Sequence, residues 1–371
     1  MHSGTGFKKG LLTLCKKVQT IEVCYTIDEG EFFMHAREGD LIRTGDNVIF
    51  DVKGLVHPQE KTIAFPRYIP NLEGTRGRRG EMYNKIYNLA ERFLFLQRVA
   101  PNLLVGDPVF GEKLCEVPNS TITKHYSPIK TLENLRRAKK LQSLEQKAVT
   151  LAEELKEASD IPWSSMGISG SVMAGLFTLQ SDIDPLVYGS ENCQKAYEAL
   201  QNLSLSTSRF KAYTREELRV LFDFRSKDTN MTFEDFELVE KRKAFQGKYD
   251  GTDYFVRFVK DWNEIHENYG DICYEYAGYA KATATVLDDT EALFTPCTYK
   301  VEKVEVLQGP KLGDIIEIVS FRGRFCEQAK PRERVLVQGK IERVIDKRQD
   351  SCHHRFIIGN QPADYLTLSK L

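Results

Sequence analysis

The chain has 371 residues, of which 41% are hydrophobic and 28% are charged, and its formal net charge is −1. This length allows two or three domains, and the composition is typical of a soluble globular protein. The near-zero net charge excludes a global field that would draw the molecule onto nucleic acid or a membrane, so such contacts would need a local patch.

The N-terminal run at 11–15 is apolar but too short for a signal peptide, and two lysines follow it directly. No apolar run reaches the ~20 residues that a membrane span requires. The eight cysteines include no Cys-x-x-Cys pair, which indicates reduced thiols and no disulfide framework. We therefore predict a cytoplasmic protein without a membrane partner.

Residues 1–130 are predicted to form a β-rich domain with a helical end. Strands are expected at 48–52 and 62–65, where β-branched and aromatic residues cluster between turns. The apolar spacing over 82–97 predicts an amphipathic helix.

A glycine-rich basic segment, 72–80, precedes this helix and contains Arg76, Arg78 and Arg79. Guanidinium groups on a flexible backbone can surround a phosphate. The alternative, which we favour from sequence, is a solvated mobile loop.

Residues 131–276 are predicted to form a central domain of helices and strands. Helical periodicity covers 132–157, 191–203, 214–224 and 232–245, and the run 253–259 is predicted to be a strand.

Within this region, 166–188 carries the clearest chemical pattern. Gly170-Ser171 lies where a strand is expected to turn into a helix, and backbone N–H groups at such a turn can hold an anion. Asp182 and Asp184 are two residues apart, so on a strand they share a face, with Cα atoms about 7 Å apart. Paired carboxylates suit hard divalent cations. The pattern predicts metal-dependent chemistry on a nucleotide.

The order Gly170-Ser171, ten residues, then Asp182-Ile183-Asp184 resembles the signature of the DNA polymerase beta-like nucleotidyltransferase superfamily. A second resemblance covers nearly all of the chain after about residue 20. The runs at 50–58, 63–70, 107–110 and 294–299 look like those of a largely uncharacterised archaeal family of predicted nucleotidyltransferases.

The resemblance implies a mixed sheet with helices, a bound nucleoside triphosphate and two Mg²⁺ ions. Asp182 and Asp184 would be catalytic metal ligands, while Gly170 and Ser171 would hold phosphates. A third catalytic carboxylate and metal ligand usually comes from a later strand, and Asp253 is our candidate, although it could equally be a turn residue.

Two neighbours of these carboxylates carry further expectations. Arg257 alternates with Asp253 onto one face of the predicted strand, which would place it near the phosphates. Pro185 follows Asp184, and because proline lacks a ladder donor it suggests an edge strand.

Residues 277–371 are predicted to be β-rich, with strands at 282–286, 299–307, 314–321, 334–341 and 355–358. Short strands with regular turns suggest a small barrel, and the OB fold is one candidate. The region could bind RNA or DNA through basic residues and aromatic stacking surfaces. These candidates are Arg322, Arg324, Lys330, Arg332, Arg334 and Lys340, with Phe321, Phe325 and Phe356.

The sequence thus predicts an α+β protein with a central nucleotidyltransferase domain between two β-rich domains. The predicted activity is metal-dependent transfer of a nucleoside monophosphate to an acceptor hydroxyl, with release of pyrophosphate. The alternative is a nucleotide- or nucleic-acid-binding protein on a catalytically inactive transferase fold. The acceptor and the oligomeric state are not predicted.

Overall fold

A computed structural model describes residues 35–78, 80–226 and 230–369 of the chain. Within these ranges the fold is α+β, as predicted, with seven α-helices and four sheets. The N-terminal run on which we rejected a signal peptide lies outside the described residues, as does Arg79. No helix within the described ranges is long and apolar enough to cross a membrane.

The first sheet has eight strands and forms a half-barrel. Its main path runs β4–β5–β3–β2–β1–β8, while β7 pairs with β3 and β6 pairs with β7. The strands are β1 (Leu41–Thr44), β2 (Ile49–Val52), β3 (Lys61–Pro70), β4 (Arg76–Arg78), β5 (Glu81–Lys85), β6 (Leu104–Asp107), β7 (Glu112–Pro118) and β8 (Ile122–Tyr126).

The prediction of a helix over 82–97 is wrong for its first residues, 82–85. Strand β5 occupies that part and pairs with β3, with Tyr83 fully buried in the sheet. Helix α1 (Leu89–Val99) begins only after Asn88, whose side chain accepts a hydrogen bond from the backbone N–H of Glu91. An asparagine cap of this kind fixes where a helix begins.

A three-stranded mixed sheet lies at the centre, made of β9 (Met166–Ile168), β10 (Pro185–Tyr188) and β14 (Arg257–Val259). Strand β10 lies between the other two, antiparallel to β9 and parallel to β14. The edge position predicted from Pro185 is therefore wrong. Proline is accommodated because it is the first residue of its strand, where a missing donor costs little.

Helices and a second small sheet surround these strands. The predicted helix over 132–157 is two helices, because Gln142 and Glu145 form a capping box that starts the second one. The helices are α2 (Pro128–Arg137), α3 (Ser143–Ser159), α4 (Gly170–Ala174), α5 (Ser190–Ser206), α6 (Arg215–Arg225) and α7 (Phe233–Glu240). The small sheet consists of β11 (Phe210–Lys211), β12 (Gln246–Tyr249) and β13 (Thr252–Phe255).

The last part of the chain closes into a ring of strands. The order is β15–β16–β17–β19–β18, and pairing of β15 with β18 completes the ring, while β20 adds to β18. The strands are β15 (Ile272–Asp288), β16 (Cys297–Gln308), β17 (Ile315–Ser320), β18 (Arg334–Asp346), β19 (Ser351–Ile357) and β20 (Tyr365–Leu368). All five predicted strands are present, and β20 was not predicted.

Two buried clusters join these parts. The larger one runs from α3 and α5 through the central sheet into the ring, and includes Leu151, Leu200, Phe258 and Phe356. In the smaller one, Tyr68 and Tyr83 of the half-barrel pack against Met173 and Ala174 of α4. The half-barrel is thereby held against the segment that carries the Gly-Ser motif. The domain boundaries at 130 and 276 stay predictions.

Candidate functional site

The Gly-Ser turn lies directly against the second aspartate of the motif. Gly170 has a φ of +61°, a conformation that side chains other than glycine rarely adopt. A Cβ placed on Gly170 would overlap the carboxylate of Asp184. The backbone N–H of Ser169 donates to the carbonyl of Asp184 at 2.9 Å. Glycine is therefore required here both by backbone conformation and by space.

The two aspartates flank Ile183, which bridges to the neighbouring strand β13. Its N–H donates to the carbonyl of Asp253 at 2.9 Å, and its carbonyl accepts from Phe255 at 3.0 Å. Burial, followed by the negative charge of Asp182, raises the pKa of Asp184 to about 6. Two carboxylates that repel each other in this way would be stabilised by a shared cation.

Two hydroxyl groups near the aspartates have no hydrogen-bond partner among the described residues. Ser171 is fully buried, and its Oγ makes no hydrogen bond. The hydroxyl of Tyr68 is likewise buried and unpartnered, and burial followed by the charge of Asp184 raises its pKa. Buried hydroxyls in proteins normally have partners, so these two, beside a carboxylate pair, could bind a ligand.

Lys85 supplies positive charge opposite the aspartates, although sequence reasoning missed it. It lies directly across from Tyr68 in the register of β3 and β5, so both side chains share one face. Burial, followed by the nearby charge of Arg67, lowers the pKa of Lys85 to about 8, while Asp182 and Asp184 oppose this shift. The signal was hidden because 82–97 looks helical in sequence.

In the described part of the basic segment, strand β4 pairs with β5 and its arginines contact the motif, which corrects our preference for a mobile loop. The Nη1 of Arg76 donates to the carbonyl of Leu176 at 2.7 Å and to the Oγ of Ser181 at 3.3 Å. The Nη1 of Arg78 donates to the carbonyl of Ala174 at 2.7 Å. The two arginines thus bind the segment that connects Ser171 to Asp182.

A groove of about 960 Å³ opens beside strands β4 and β5. Its lining includes Arg76 and Lys85 from the half-barrel and Thr178 and Gln180 from the segment before Asp182. Tyr87 also lines it, and the Nη2 of Arg76 lies 3.3 Å from the Tyr87 hydroxyl. The groove is large enough for a nucleotide.

The carboxylate of Asp253 lies one strand away and has a partner of its own. It forms an ion pair with Lys248 at 3.2 Å, and its side chain is 50% exposed. Arg257 forms an ion pair with Glu38 at 2.8 Å. Its positive charge also acts on Asp184, where it lowers the pKa against the larger effect of burial. Within the described residues, no three His, Cys, Asp or Glu side chains are grouped to hold a metal ion. The structure brings together four of the predicted site residues, Gly170, Ser171, Asp182 and Asp184. The role of Asp253 stays a prediction.

Several residues proposed for nucleic-acid contact have other partners. Lys330 forms an ion pair with Glu327, and Arg334 forms one with Glu305 at 2.8 Å. Lys340 lies 2.6 Å from Glu112 and 2.8 Å from Glu342. Phe325 and Phe356 are buried, so neither ring is available to stack on a base. RNA or DNA as a partner stays a prediction.

Comparison with known proteins places the chain among archaeal relatives. No family model matches the chain, and no solved structure matches it. The chain is 31% identical to the "Uncharacterized protein MJ1086" of Methanocaldococcus jannaschii over 338 residues. The match covers 88% of this chain and 96% of that protein. The chain therefore belongs to the same protein family as MJ1086.

Proposed function

We propose that the protein is a nucleotidyltransferase of the DNA polymerase beta-like superfamily. It would move a nucleoside monophosphate from a nucleoside triphosphate to an acceptor hydroxyl and release pyrophosphate. The observation that carries the proposal is the Asp184 carboxylate packed against Gly170, beside a buried Ser171 hydroxyl that has no partner among the described residues. The resemblance of this motif to the superfamily signature supports the same activity.

Asp182 and Asp184 fit one Mg²⁺ ion. Magnesium sites often use one or two carboxylates and take the other ligands from substrate phosphates and water. The elevated pKa of Asp184, caused by burial and by Asp182, is the condition that a bound cation would relieve. When bound, Mg²⁺ would supply positive charge that offsets the charge of the triphosphate in the transition state. The second expected ion would need Asp253 to leave Lys248.

The triphosphate would bind in the 960 Å³ groove, which Arg76 and Lys85 line. The Ser171 hydroxyl would donate a hydrogen bond to a phosphate oxygen, because it has no other acceptor. Lys85 would pair with a phosphate, which would also favour its charged form. Arg76 would hold the loop before Asp182 in place through the carbonyl of Leu176.

A transfer assay tests this function. The full chain is incubated with α-phosphate-labelled nucleoside triphosphates, Mg²⁺ and total RNA, DNA or protein as acceptor. We expect label in one acceptor class, and the class would identify the acceptor. Replacing Asp182 and Asp184 by Asn should reduce transfer to background, whereas Asp223→Asn on exposed α6 should not. Undiminished transfer by the double variant would contradict the assignment as a nucleotidyltransferase.

The second candidate is a nucleotide-binding protein on an inactive transferase fold. It is favoured by the ion pair that occupies the Asp253 carboxylate. Nucleotide binding that requires Mg²⁺ and Asp184, but with no transfer to any acceptor class, would favour this candidate over the enzyme.

We propose further that the ring of strands is a barrel of the OB type. Five strands close on themselves, and β17 and β19 pair in parallel although the other neighbours are antiparallel. A five-stranded barrel with crossed connections is the architecture of that fold.

A further inference from the structure

A second cavity, of about 690 Å³, lies between the half-barrel, helix α1, strand β14 and the ring of strands. Five arginines from these four parts line it: Arg67 from β3, Arg92 from α1, Arg257 from β14, and Arg322 and Arg355 from the last part of the chain. The proposed transfer reaction does not yet use this cavity.

Arg92 is the least satisfied of these cations. The residue is 7% exposed, and its Nε makes no hydrogen bond. Its one ion pair within the described part of the chain, with Asp51, spans 3.8 Å, and Lys53 lies closer to Asp51, at 2.9 Å. Burial, followed by the neighbouring charge of Arg67, lowers the pKa of Arg92 to about 10. A buried guanidinium without a good acceptor is unfavourable unless a ligand supplies one.

The charges around Arg92 are out of balance. Arg67 donates a hydrogen bond to the carbonyl of Ile86 at 3.2 Å and has no ion pair with any other described residue. Arg257 and Lys53 both pair with Glu38, at 2.8 and 3.2 Å. Arg92, Arg257 and Lys53 thus pair with two carboxylates, Glu38 and Asp51, and the charges of Arg67 and Arg257 also act on Asp184. An anion bound among them would neutralise the excess charge.

The lining of the cavity also includes aromatic side chains. Phe65 and Phe93 lie there with ring centroids 5.7 Å apart, and Phe321 is also in the lining. Tyr87 lines both this cavity and the groove proposed for the triphosphate. A ligand in the cavity would therefore lie beside the nucleotide.

We propose that this cavity binds the acceptor of the transfer reaction through a phosphate monoester that the acceptor carries. That the ligand is the acceptor rests on the function proposed above, whereas the presence of a phosphate site in the cavity does not. A guanidinium group can donate two parallel hydrogen bonds to one phosphate group. Several arginines around one cavity therefore favour a phosphate as the bound anion. The volume and the aromatic side chains suit a ligand of about nucleotide size.

Binding to the full chain is measured by calorimetry in EDTA, so that the metal-dependent triphosphate site does not contribute. The probes are inorganic phosphate, adenosine 5′-monophosphate and adenosine. We expect both phosphate probes to bind and adenosine to bind at least tenfold more weakly than its monophosphate. Tighter binding of the monophosphate than of inorganic phosphate would identify a nucleotide-like ligand, and equal binding would identify a plain phosphate site.

Arg92→Met tests the site directly. The variant should lose at least tenfold in affinity for phosphate, and its unliganded melting temperature should not fall, because Asp51 keeps Lys53 as its partner. Arg98→Met, an exposed arginine on the same helix, is the matched control and should bind as the parent does. If Arg92→Met fails to fold, Arg67→Met serves as the second variant.

Failure of this site and failure of the proposed function give different results. Asp182→Asn with Asp184→Asn should abolish transfer but leave phosphate binding in EDTA intact. Absence of phosphate binding by the parent, or equal binding by Arg92→Met and Arg67→Met, would overturn the site even if transfer is observed. Transfer of label to an acceptor that has lost its phosphate, at an undiminished rate, would overturn the acceptor assignment.

Discussion

At the scale of single residues, three consecutive small residues of the motif have three different roles. Ser169 donates its hydroxyl to the carbonyl of Gly39 at 2.6 Å and so joins the motif to the half-barrel. Gly170 supplies a positive φ and makes room for Asp184. Ser171 has a buried hydroxyl with no partner. Sequence predicts the Gly-Ser pair as functional, but the contrast between the two serines depends on contacts that are distant in the chain.

We expect alanine at the two serines to have opposite effects. Ser169→Ala should lower the free energy of unfolding by about 1–3 kcal/mol, because a buried carbonyl loses its donor. Ser171→Ala should leave the free energy of unfolding almost unchanged but weaken nucleoside triphosphate binding. Chemical denaturation and nucleotide titration of both variants would check this. Equal destabilisation by the two changes would contradict a ligand-binding role for Ser171.

Gly170→Ala should damage both stability and activity. A left-handed conformation costs alanine roughly 1–2 kcal/mol, and the added Cβ would displace the Asp184 carboxylate. We expect a lower melting temperature together with loss of transfer. Gly251→Ala is the matched control, because that glycine also has a positive φ but an added Cβ there meets no atom within 4 Å. Retained transfer by Gly170→Ala would mean that Asp184 is not held where we describe it.

His57 gives the fold a pH dependence that is independent of the metal site. Its Nε2 contacts the carbonyl of Ala36 at 2.9 Å, and its Nδ1 accepts from the N–H of Ile63 at 3.3 Å. Burial lowers the pKa of His57 from 6.5 to about 4. The unfolded chain therefore binds a proton more readily, and stability is lost as pH falls from about 6.5 towards 4.

Between pH 7 and 5 this effect should amount to about 2 kcal/mol. Urea denaturation at both pH values should show that the free energy of unfolding falls less between pH 7 and pH 5 for His57→Gln than for the parent chain. The same drop in both proteins would show that His57 is not buried in its neutral form.

At the scale of elements, local signals predict some helices well and fail where pairing is distant. Helices α5 and α6 lie within three residues of their predicted bounds, because an amphipathic stripe and, for α6, a capping box at Thr214 and Glu217 are local. Residues 81–85 have apolar spacing that also fits a helix, yet they pair with β3. Tyr68 and Lys85 become neighbours only through that pairing, so sequence could not place them beside the aspartates.

The hairpin of β4 and β5 should control the position of the aspartate segment. Arg76→Met removes the hydrogen bonds to Leu176 and Ser181, so we expect a loss of about 1 kcal/mol in stability and a higher KM for nucleoside triphosphate. Arg98→Met on exposed α1 serves as the control. Unchanged KM in Arg76→Met would show that the hairpin does not position the site.

At the scale of the whole molecule, the site depends on parts that are far apart in sequence. The spacing of residues 170–184 was sufficient to predict that the Gly-Ser turn and the aspartates form a local unit. The half-barrel supplies Arg76, Lys85 and Tyr68, and the second cavity needs the ring as well. The surroundings of Asp253 depend on Lys248, which pairs with it across strands β12 and β13. Such contacts follow from tertiary packing, which a single sequence does not display.

Pyrophosphate release tests the central claim most directly. It is measured for the parent chain, Asp182→Asn, Asp184→Asn and Asp223→Asn, with a nucleoside triphosphate, acceptor and either Mg²⁺ or EDTA. We expect release only with Mg²⁺, loss of release in the two motif variants and normal release by Asp223→Asn. Release at the parent rate by Asp182→Asn and Asp184→Asn, or undiminished release in EDTA, would contradict the account.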